Sequence, residues 1–169
     1  MATPFQIEQH FSAPVEAVEA AFLDPSLLAR MAELPDLGRP KLLGVVEDGS
    51  SVTRRVRFSF TGELSSAARA VLDPDRLTWV EESVLDRRTH RSRVVIRPDH
   101  YADRLKCEAT VTLEEQAGST RRVTAGRLSV RAPLVAGRVE RAIVSGLEKN
   151  SRAEARIVRE LLAARDQSG

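Results

Sequence analysis

His90 and Cys107 are the side chains of this sequence best suited to covalent chemistry. If the strands that carry them lie side by side, an imidazole next to a thiol would activate that thiol as a nucleophile. Cys107, however, shares one face of its predicted strand with Leu105 and Ala109. A cysteine among apolar neighbours acts as a small hydrophobic residue, and this second interpretation is favoured.

Glu81 and Glu82 are adjacent carboxylates in a segment that alternates like a β-strand. Since successive side chains of a strand point to opposite faces, one of the two is expected on the inner face of the sheet. A carboxylate in an apolar cavity has a raised pKa or a charged partner, and Arg54, on the same face as Val56 and Phe58, is the predicted partner. Alternatively, both carboxylates lie at the rim or on the outer face. An internal Glu–Arg pair would orient a polar head group or act as an acid–base pair.

No arrangement of residues in the sequence matches a catalytic or metal-binding signature. The histidines His10, His90 and His100 do not follow a metal-ligand spacing with one another or with Cys107. The chain also lacks a glycine-rich phosphate loop and a Gly-x-Ser-x-Gly elbow. We therefore predict no catalytic residue, no metal and no cofactor.

Apolar side chains on the strands and on a long C-terminal helix are the predicted walls of a cavity. These wall residues are Phe58, Phe60, Trp79, Ile143, Gly146 and Leu147. Trp79 suits either the core or a ligand platform, and the core is favoured. Gly146 interrupts the helix at a cost of about 1 kcal/mol relative to Ala. Close packing against the sheet or room for a ligand would explain it, and close packing is favoured.

The elements that carry these residues follow from hydrophobic periodicity. After the first strand and Pro14, apolar residues return at helical spacing, and a second short helix is predicted over residues 26–33. Residues 65–72 do not alternate, and they predict a short helix or an irregular flap. The strands are predicted over residues 5–11, 42–47, 52–60, 77–85, 89–97, 105–113 and 123–131.

From Pro133 to about Ala164, apolar residues recur every three or four positions. A helix of about 30 residues is about 45 Å long, and it needs a large curved surface to bury its apolar stripe. The element order predicts an α+β fold, in which a curved antiparallel sheet of about six to seven strands wraps around the C-terminal helix. Residues 1–165 are predicted to form a single domain, and residues 166–169 a disordered tail.

Three segments, residues 32–40, 73–82 and 135–143, resemble the bacterial family known as domain of unknown function 2505. The family belongs to the START-like (SRPBCC) superfamily, and the resemblance spans about residues 5–163. It implies a helix-grip fold with an apolar cavity between the sheet and the long helix. The family carries no established activity that would assign a function to this chain.

The C-terminal half also has a fainter similarity to PRELI-type phospholipid carriers, which share the helix-grip fold. It lies in residues 81–89 and in the order of a late strand, a short linker and a long helix that carries Glu140 and Asn150. Residues 65–72 fall where those carriers place an exposed flap. The similarity implies a lipid-sized ligand without assigning one.

Composition narrows the classes of function. The formal net charge is only +2 over 169 residues, which does not indicate a nucleic-acid-binding protein. A single cysteine cannot form an internal disulfide, which fits a reducing compartment. The N-terminus lacks the pattern of a signal peptide, and no apolar run approaches about 18 residues. These features predict a cytoplasmic protein without stable membrane insertion, and they leave the oligomeric state open.

Together these observations predict the binding or transport of a hydrophobic small molecule or lipid, without catalysis. A curved sheet gripped against a helix leaves concave apolar volume, and such cavities bind apolar ligands through a few placed polar groups. Arg54 and Glu81 are the predicted polar anchors, and residues 65–72 the gate. The alternative is an enzyme of the polyketide cyclase or aromatase type that acts on a ligand in the same cavity. A third interpretation is an interaction protein whose core is filled by its own side chains.

Overall fold

The computed structural model describes residues 2–169, which form one seven-stranded antiparallel sheet with helices on its concave face. The strand order in the sheet is β1-β7-β6-β5-β4-β3-β2, so β1 and β2 are the two edges. The strands are β1 (Thr3–Phe11), β2 (Lys41–Asp48), β3 (Ser51–Ser59), β4 (Thr78–Asp86), β5 (Arg91–Pro98), β6 (Leu105–Gln116) and β7 (Ser119–Val130). The predicted α+β helix-grip fold, its seven strands and the two short helices after the first strand are confirmed.

Local sequence signals account for the short elements. The helices are α1 (Val15–Leu23), α2 (Pro25–Arg30), α3 (Ser66–Arg69) and α4 (Ala136–Gln167), with 3₁₀ turns at Met31–Glu33 and Pro74–Arg76. Asp24 caps α2, because its carboxylate accepts a hydrogen bond from the Ser26 amide at 2.8 Å and Pro25 fills the first helical position. Ser65 caps α3 in the same way through the Ala68 amide. Gly49 has a φ of +57° in the β2–β3 turn, which a glycine adopts without strain.

The C-terminal helix α4 packs against β1, β7 and α1. It continues to Gln167, so the predicted end near Ala164 and the assignment of residues 166 and 167 to a disordered tail are wrong. The Ser168 hydroxyl donates to the Ala164 carbonyl at 3.0 Å, and Arg165 reaches Asp24 across the helix interface. These contacts hold the last turn in place. The single domain itself remains a prediction.

Two apolar clusters support the concave face. The larger joins β1, α1 and α2 to the C-terminal half of α4, with Phe11, Val18, Leu27 and Ile157 as fully buried members. The smaller joins α3 and the ends of β6 and β7 to the first turns of α4. Among residues 2–169, no helix has the length and hydropathy needed to span a membrane.

Candidate functional site

A cavity of about 70 Å³ lies between α1 and the concave face of β3 to β7. It is unusual for its charge, because five titratable or charged side chains line it. They are Glu19, Arg54, Glu81, His90 and Arg122. The remaining wall is mostly apolar, from α1 and from the inner faces of the strands. We take this cavity as the candidate functional site.

Strand register explains why Arg54 and Glu81 meet here. Glu81 lies opposite Val56 of β3, and Arg54 lies opposite Ser83 of β4. Arg54 and Glu81 are therefore diagonal neighbours on one face of the sheet, within reach of long side chains. Glu82 points to the other face, where it forms ion pairs with two arginines. Glu81 is therefore the one of the two carboxylates that lies on the concave face, as the sequence predicted for one of them.

Glu81 is a half-buried carboxyl whose remaining exposure is toward the cavity. Burial raises its pKa, and the nearby positive charges of Arg54 and Arg122 oppose that rise, while the charge of Glu154 adds to it. Within residues 2–169, the Glu81 carboxyl makes no hydrogen bond or ion pair. Its capacity for hydrogen bonding is therefore directed at the contents of the cavity.

Arg54 is held by the protein without touching Glu81. Its Nη1 atom donates to the main-chain carbonyl of Phe22 at 2.9 Å, which fixes the guanidinium between β3 and the end of α1. Arg54 and Glu81 thus form no direct ion pair, although burial raises the pKa of Glu81 and the charge of Arg54 opposes that rise. Helix α1 offers a carbonyl that the sequence pattern of β3 and β4 could not reveal, and Arg54 acts on Glu81 only through its charge.

Arg122 anchors a buried polar network between the sheet and α4. Its guanidinium donates to the Gln9 side-chain carbonyl at 2.7 Å and lies 3.6 Å from Glu154. It also lies 4.1 Å from the ring centroid of Phe22, a cation–π distance. The Gln9 amide donates in turn to Glu154 at 3.1 Å and to the Ser151 carbonyl at 2.8 Å. Burial lowers the pKa of Arg122, while the charge of Glu154 opposes this shift.

His90 stands at another wall of the cavity, paired with Glu19 of α1. The distance from His90 Nδ1 to Glu19 Oε2 is 2.7 Å, and the Glu19 side chain is nearly buried. His90 has a φ of +52°, a conformation that favours glycine. The predicted alternative of a His90–Cys107 pair is not realised. Burial is the main cause that raises the pKa of the Cys107 thiol to about 11, and the charges of Glu81 and Glu108 add to the rise. The thiol is therefore a weak nucleophile at neutral pH.

The cavity thus brings together Arg54, Glu81 and His90 of the predicted site residues. The others occupy different places. Phe58 is buried and stacks on Trp79, with ring centroids 5.9 Å apart. Phe60 pairs with Leu37 beyond the end of β3. The remaining predicted site residues, none of which is among those lining this cavity, are Cys107, Ile143, Gly146 and Leu147.

Gly146 does not pack closely against the sheet. A Cβ atom at this position would meet no atom within 4 Å. The favoured prediction of close packing is therefore wrong, and α4 has open space beside this residue. One turn further along, the Asn150 Oδ1 atom is buried and has no hydrogen-bond partner within residues 2–169.

Among the cavity residues that sequence reasoning missed are Glu19, Phe22 and Arg122. Glu19 and Phe22 lie on the same helical stripe of α1 as Val15 and Val18, so their inward direction was available from the period of 3.6. Arg122 was missed because the sequence pattern places the start of the last strand at Val123, whereas β7 begins at Ser119.

A larger depression of about 680 Å³ lies on the outer face of the sheet. Its charged side chains, among them Arg91, Arg93 and Arg127, are exposed to solvent. The contact from Arg93 to Glu108 is 3.7 Å long between side chains that are mostly exposed. Such pairs contribute little energy and impose little order. The smaller inner cavity, with its buried charges, is the better candidate for a functional site.

Within residues 2–169, no group of three or more His, Cys, Asp or Glu side chains is arranged to hold a metal ion.

Comparison with protein families shows that residues 6–162 match a family model described as protein of unknown function, DUF2505. The chain belongs to the DUF2505 family. The resemblance predicted from the sequence is therefore confirmed. No curated protein shows significant sequence similarity to this DUF2505 chain.

Solved structures share the fold of this DUF2505 chain at low sequence identity. TTHA0849 from Thermus thermophilus matches with a TM-score of 0.69 and 17% identity, over 96% of this chain and 98% of that one. The Zhui aromatase/cyclase from Streptomyces sp. R1128 matches with a TM-score of 0.66 and 18% identity, over 98% and 96%. Norcoclaurine synthase from Thalictrum flavum matches with a TM-score of 0.63 and 16% identity, over 96% and 87%. These matches establish the fold alone; the similarity to PRELI-type carriers remains a prediction.

Proposed function

We propose that this DUF2505 chain binds a small, largely apolar molecule in the inner cavity, with the polar group of that molecule facing Arg54 and Glu81. The observation that carries the proposal is the unpaired Glu81 carboxyl inside the cavity. Burying a polar group without a hydrogen-bond partner costs free energy. A ligand that supplies the missing partner would recover that cost.

The chemistry of the two anchors selects the polar group. The Arg54 guanidinium has five N–H donors, and the described residues engage it through one hydrogen bond, to the Phe22 carbonyl. A carboxyl with a raised pKa holds its proton to higher pH and then donates as well. Arg54 presents donors at every pH of interest, and Glu81 presents one whenever it holds its proton, so an oxygen acceptor such as a carbonyl, carboxylate or phenolate complements this pair.

The volume of the cavity limits the size of the ligand. Pockets for drug-sized molecules measure roughly 300–1,000 Å³, whereas this cavity measures about 70 Å³. A single substituted aromatic ring is at the upper limit of what the cavity admits after side-chain adjustment. A lipid would enter only if α1 moved away from the sheet.

Binding can be tested with benzoate, benzylamine and toluene as probes of similar shape and different polar groups. We expect benzoate to raise the melting temperature and to perturb amide resonances of β3, β4 and α1, while benzylamine does not. Arg54→Gln and Glu81→Leu should weaken the response, because each removes donors that face the cavity. The outward-facing neighbours provide matched controls, Arg55→Gln and Glu82→Leu, which should preserve it. Equal responses to benzoate in all four variants would contradict the proposal.

An acid–base enzyme is the second candidate, favoured by the raised pKa of Glu81. Two structural neighbours are named as enzymes, an aromatase/cyclase and a synthase. Here Glu81 would donate its proton to a carbonyl oxygen while a base, water or His90, removes a proton from the adjacent carbon, forming an enol. Deuterium incorporation into the methyl group of acetophenone in D₂O, followed by NMR, tests this step. If Glu81→Gln abolishes the exchange and Glu82→Gln preserves it, the enzyme is supported. If no exchange occurs while benzoate still binds, only the binding function is supported.

A further inference from the structure

Strand β2 is an exposed edge of the sheet. It pairs with β3 on one side only, and each of its eight residues is exposed. Its central residues Leu42, Leu43, Val45 and Val46 are 36–65% exposed. A long apolar edge strand carries a row of unpaired main-chain groups and acts as a template for another strand.

We propose that β2 is the contact through which two copies of this chain join, edge to edge and antiparallel, into one continuous sheet. A symmetric pair of this kind is closed, because the same patch serves both copies. Closure stops further growth of the sheet at this edge. The proposed occupant of the edge is a second β2, which the faces and the terminal charges of the strand favour over a strand of unrelated sequence.

The faces of β2 determine the register of the pair. A bulge at Leu43 shifts the pairing with β3, so that Leu42, Val45 and Glu47 follow the concave face and the other residues of the strand the outer face. Side chains directly opposite each other in an antiparallel pair must share a face. Placing Val45 opposite Val45 of the second copy, with Leu43 left unpaired as the bulged residue, satisfies this condition along the whole strand.

This register also matches charges at both ends of the strand. It places Lys41 opposite Asp48 of the second copy, and the two-fold axis repeats that contact. Within residues 2–169, neither Lys41 nor Asp48 forms an ion pair, whereas the adjacent Glu47 is bound by Arg87 at 3.2 Å. Sliding the strands by two residues in either direction leaves Lys41 without an acidic partner. The charge pattern of β2 is therefore complementary to itself in one register.

The central part of β2 lacks the usual protection against such pairing. Natural edge strands often carry a charged side chain or a proline within the strand. In β2 the charges are at the ends, and residues 42–46 are Leu-Leu-Gly-Val-Val. The bulge at Leu43 twists the edge, but in the proposed register one bulge falls on each side of the axis and the pairing stays symmetric. Eight residues from each copy form a small interface, so we expect association in the micromolar range.

Sedimentation velocity across a micromolar concentration series tests the proposal with the full chain. We expect the wild-type mass to rise from 18.6 kDa toward twice that value. Val45→Lys should remain monomeric, since it places two like charges at the two-fold axis. Val84→Lys is the matched control, because Val84 is equally exposed but lies on β4 inside the sheet. It should dimerise like the wild type.

A charge exchange tests the register. Lys41→Asp and Asp48→Lys should each weaken dimerisation by at least about tenfold, because each opposes like charges twice. The double variant should restore it. Circular dichroism melts would verify that each variant is folded. A wild type that stays monomeric, a dimer that persists in Val45→Lys, or a double variant that fails to recover would each overturn the proposal.

Discussion

Glu81 and Glu82 are adjacent in β4, yet they lie on opposite faces of the sheet in opposite electrostatic environments. Glu81 faces the cavity, where burial raises its pKa. Glu82 lies on the outer surface, where hydrogen bonds from Arg97 and the charges of Arg97 and Arg55 lower its pKa. Replacing each carboxylate by an amide of the same shape therefore separates a cavity group from a surface group within a single strand.

Glu81→Gln should make the stability of the protein less sensitive to pH. In the wild type, the native state binds the Glu81 proton more tightly than the unfolded state, whose pKa is near 4.5. The free energy of unfolding should therefore fall as the pH rises from about 4.5 through the native pKa of Glu81, by about 1.4 kcal/mol for each pH unit that separates the native pKa from the unfolded one. The variant lacks this loss, so its stability relative to the wild type should increase over that interval in urea titrations.

Glu82→Gln should show the opposite sign. Its native pKa is lowered, so Glu82 contributes stability above about pH 4.5 that is lost as the pH falls through the native value. The effect should be small because the group is at the surface. If both variants shifted the pH profile in the same direction, the assignment of Glu81 to the cavity would be contradicted.

Arg122→Met should destabilise the protein by about 3 kcal/mol, because it leaves the partly buried Glu154 carboxylate without its positive charge and the Gln9 side-chain carbonyl without its donor. The preceding residue supplies the control. Arg121 forms surface ion pairs with Glu8 and Glu114, and Arg121→Met should cost about 1 kcal/mol or less. Chemical denaturation of both variants gives the comparison. Equal losses would show that the Arg122 network contributes no more than a surface pair.

His90 offers a test of backbone strain at the cavity. His90→Ala and His90→Gly both remove the imidazole from Glu19, but only glycine adopts a φ of +52° without penalty. His90→Gly should therefore be more stable than His90→Ala by about 1 kcal/mol. Equilibrium denaturation of the two variants measures the difference directly. Equal stability would mean that the turn relaxes when the pairing with Glu19 is lost.

The fold was predictable because it depends on local patterns. Alternation indicated the strands and the helical period indicated α4, while strand parity predicted that one of Glu81 and Glu82 faces the concave side. The end of α4 was missed because a contact from Arg165 to Asp24, distant in the sequence, extends the helix.

The contacts that complete the site were not predictable in this way. Glu19 and His90 are 71 positions apart, and Gln9 and Glu154 are 145 apart. Such pairs depend on how α1 and α4 lie against the sheet, which no local pattern specifies. The capture of Arg54 by the Phe22 carbonyl has the same origin, since it depends on where the end of α1 meets β3. The volume beside Gly146 is likewise a property of packing rather than of residue type.

Two glycines with opposite surroundings give the last prediction. Gly146→Ala should stabilise the protein by about 1 kcal/mol, since alanine favours the helix and its Cβ would meet no atom within 4 Å. Gly126→Ala should destabilise it, because a Cβ there would lie 2.5 Å from the Phe5 ring and 2.6 Å from the Glu108 carbonyl oxygen. Thermal and urea denaturation of both variants would measure these effects. Destabilisation by Gly146→Ala would show that α4 packs closely at this point, and the space assigned to it would not exist.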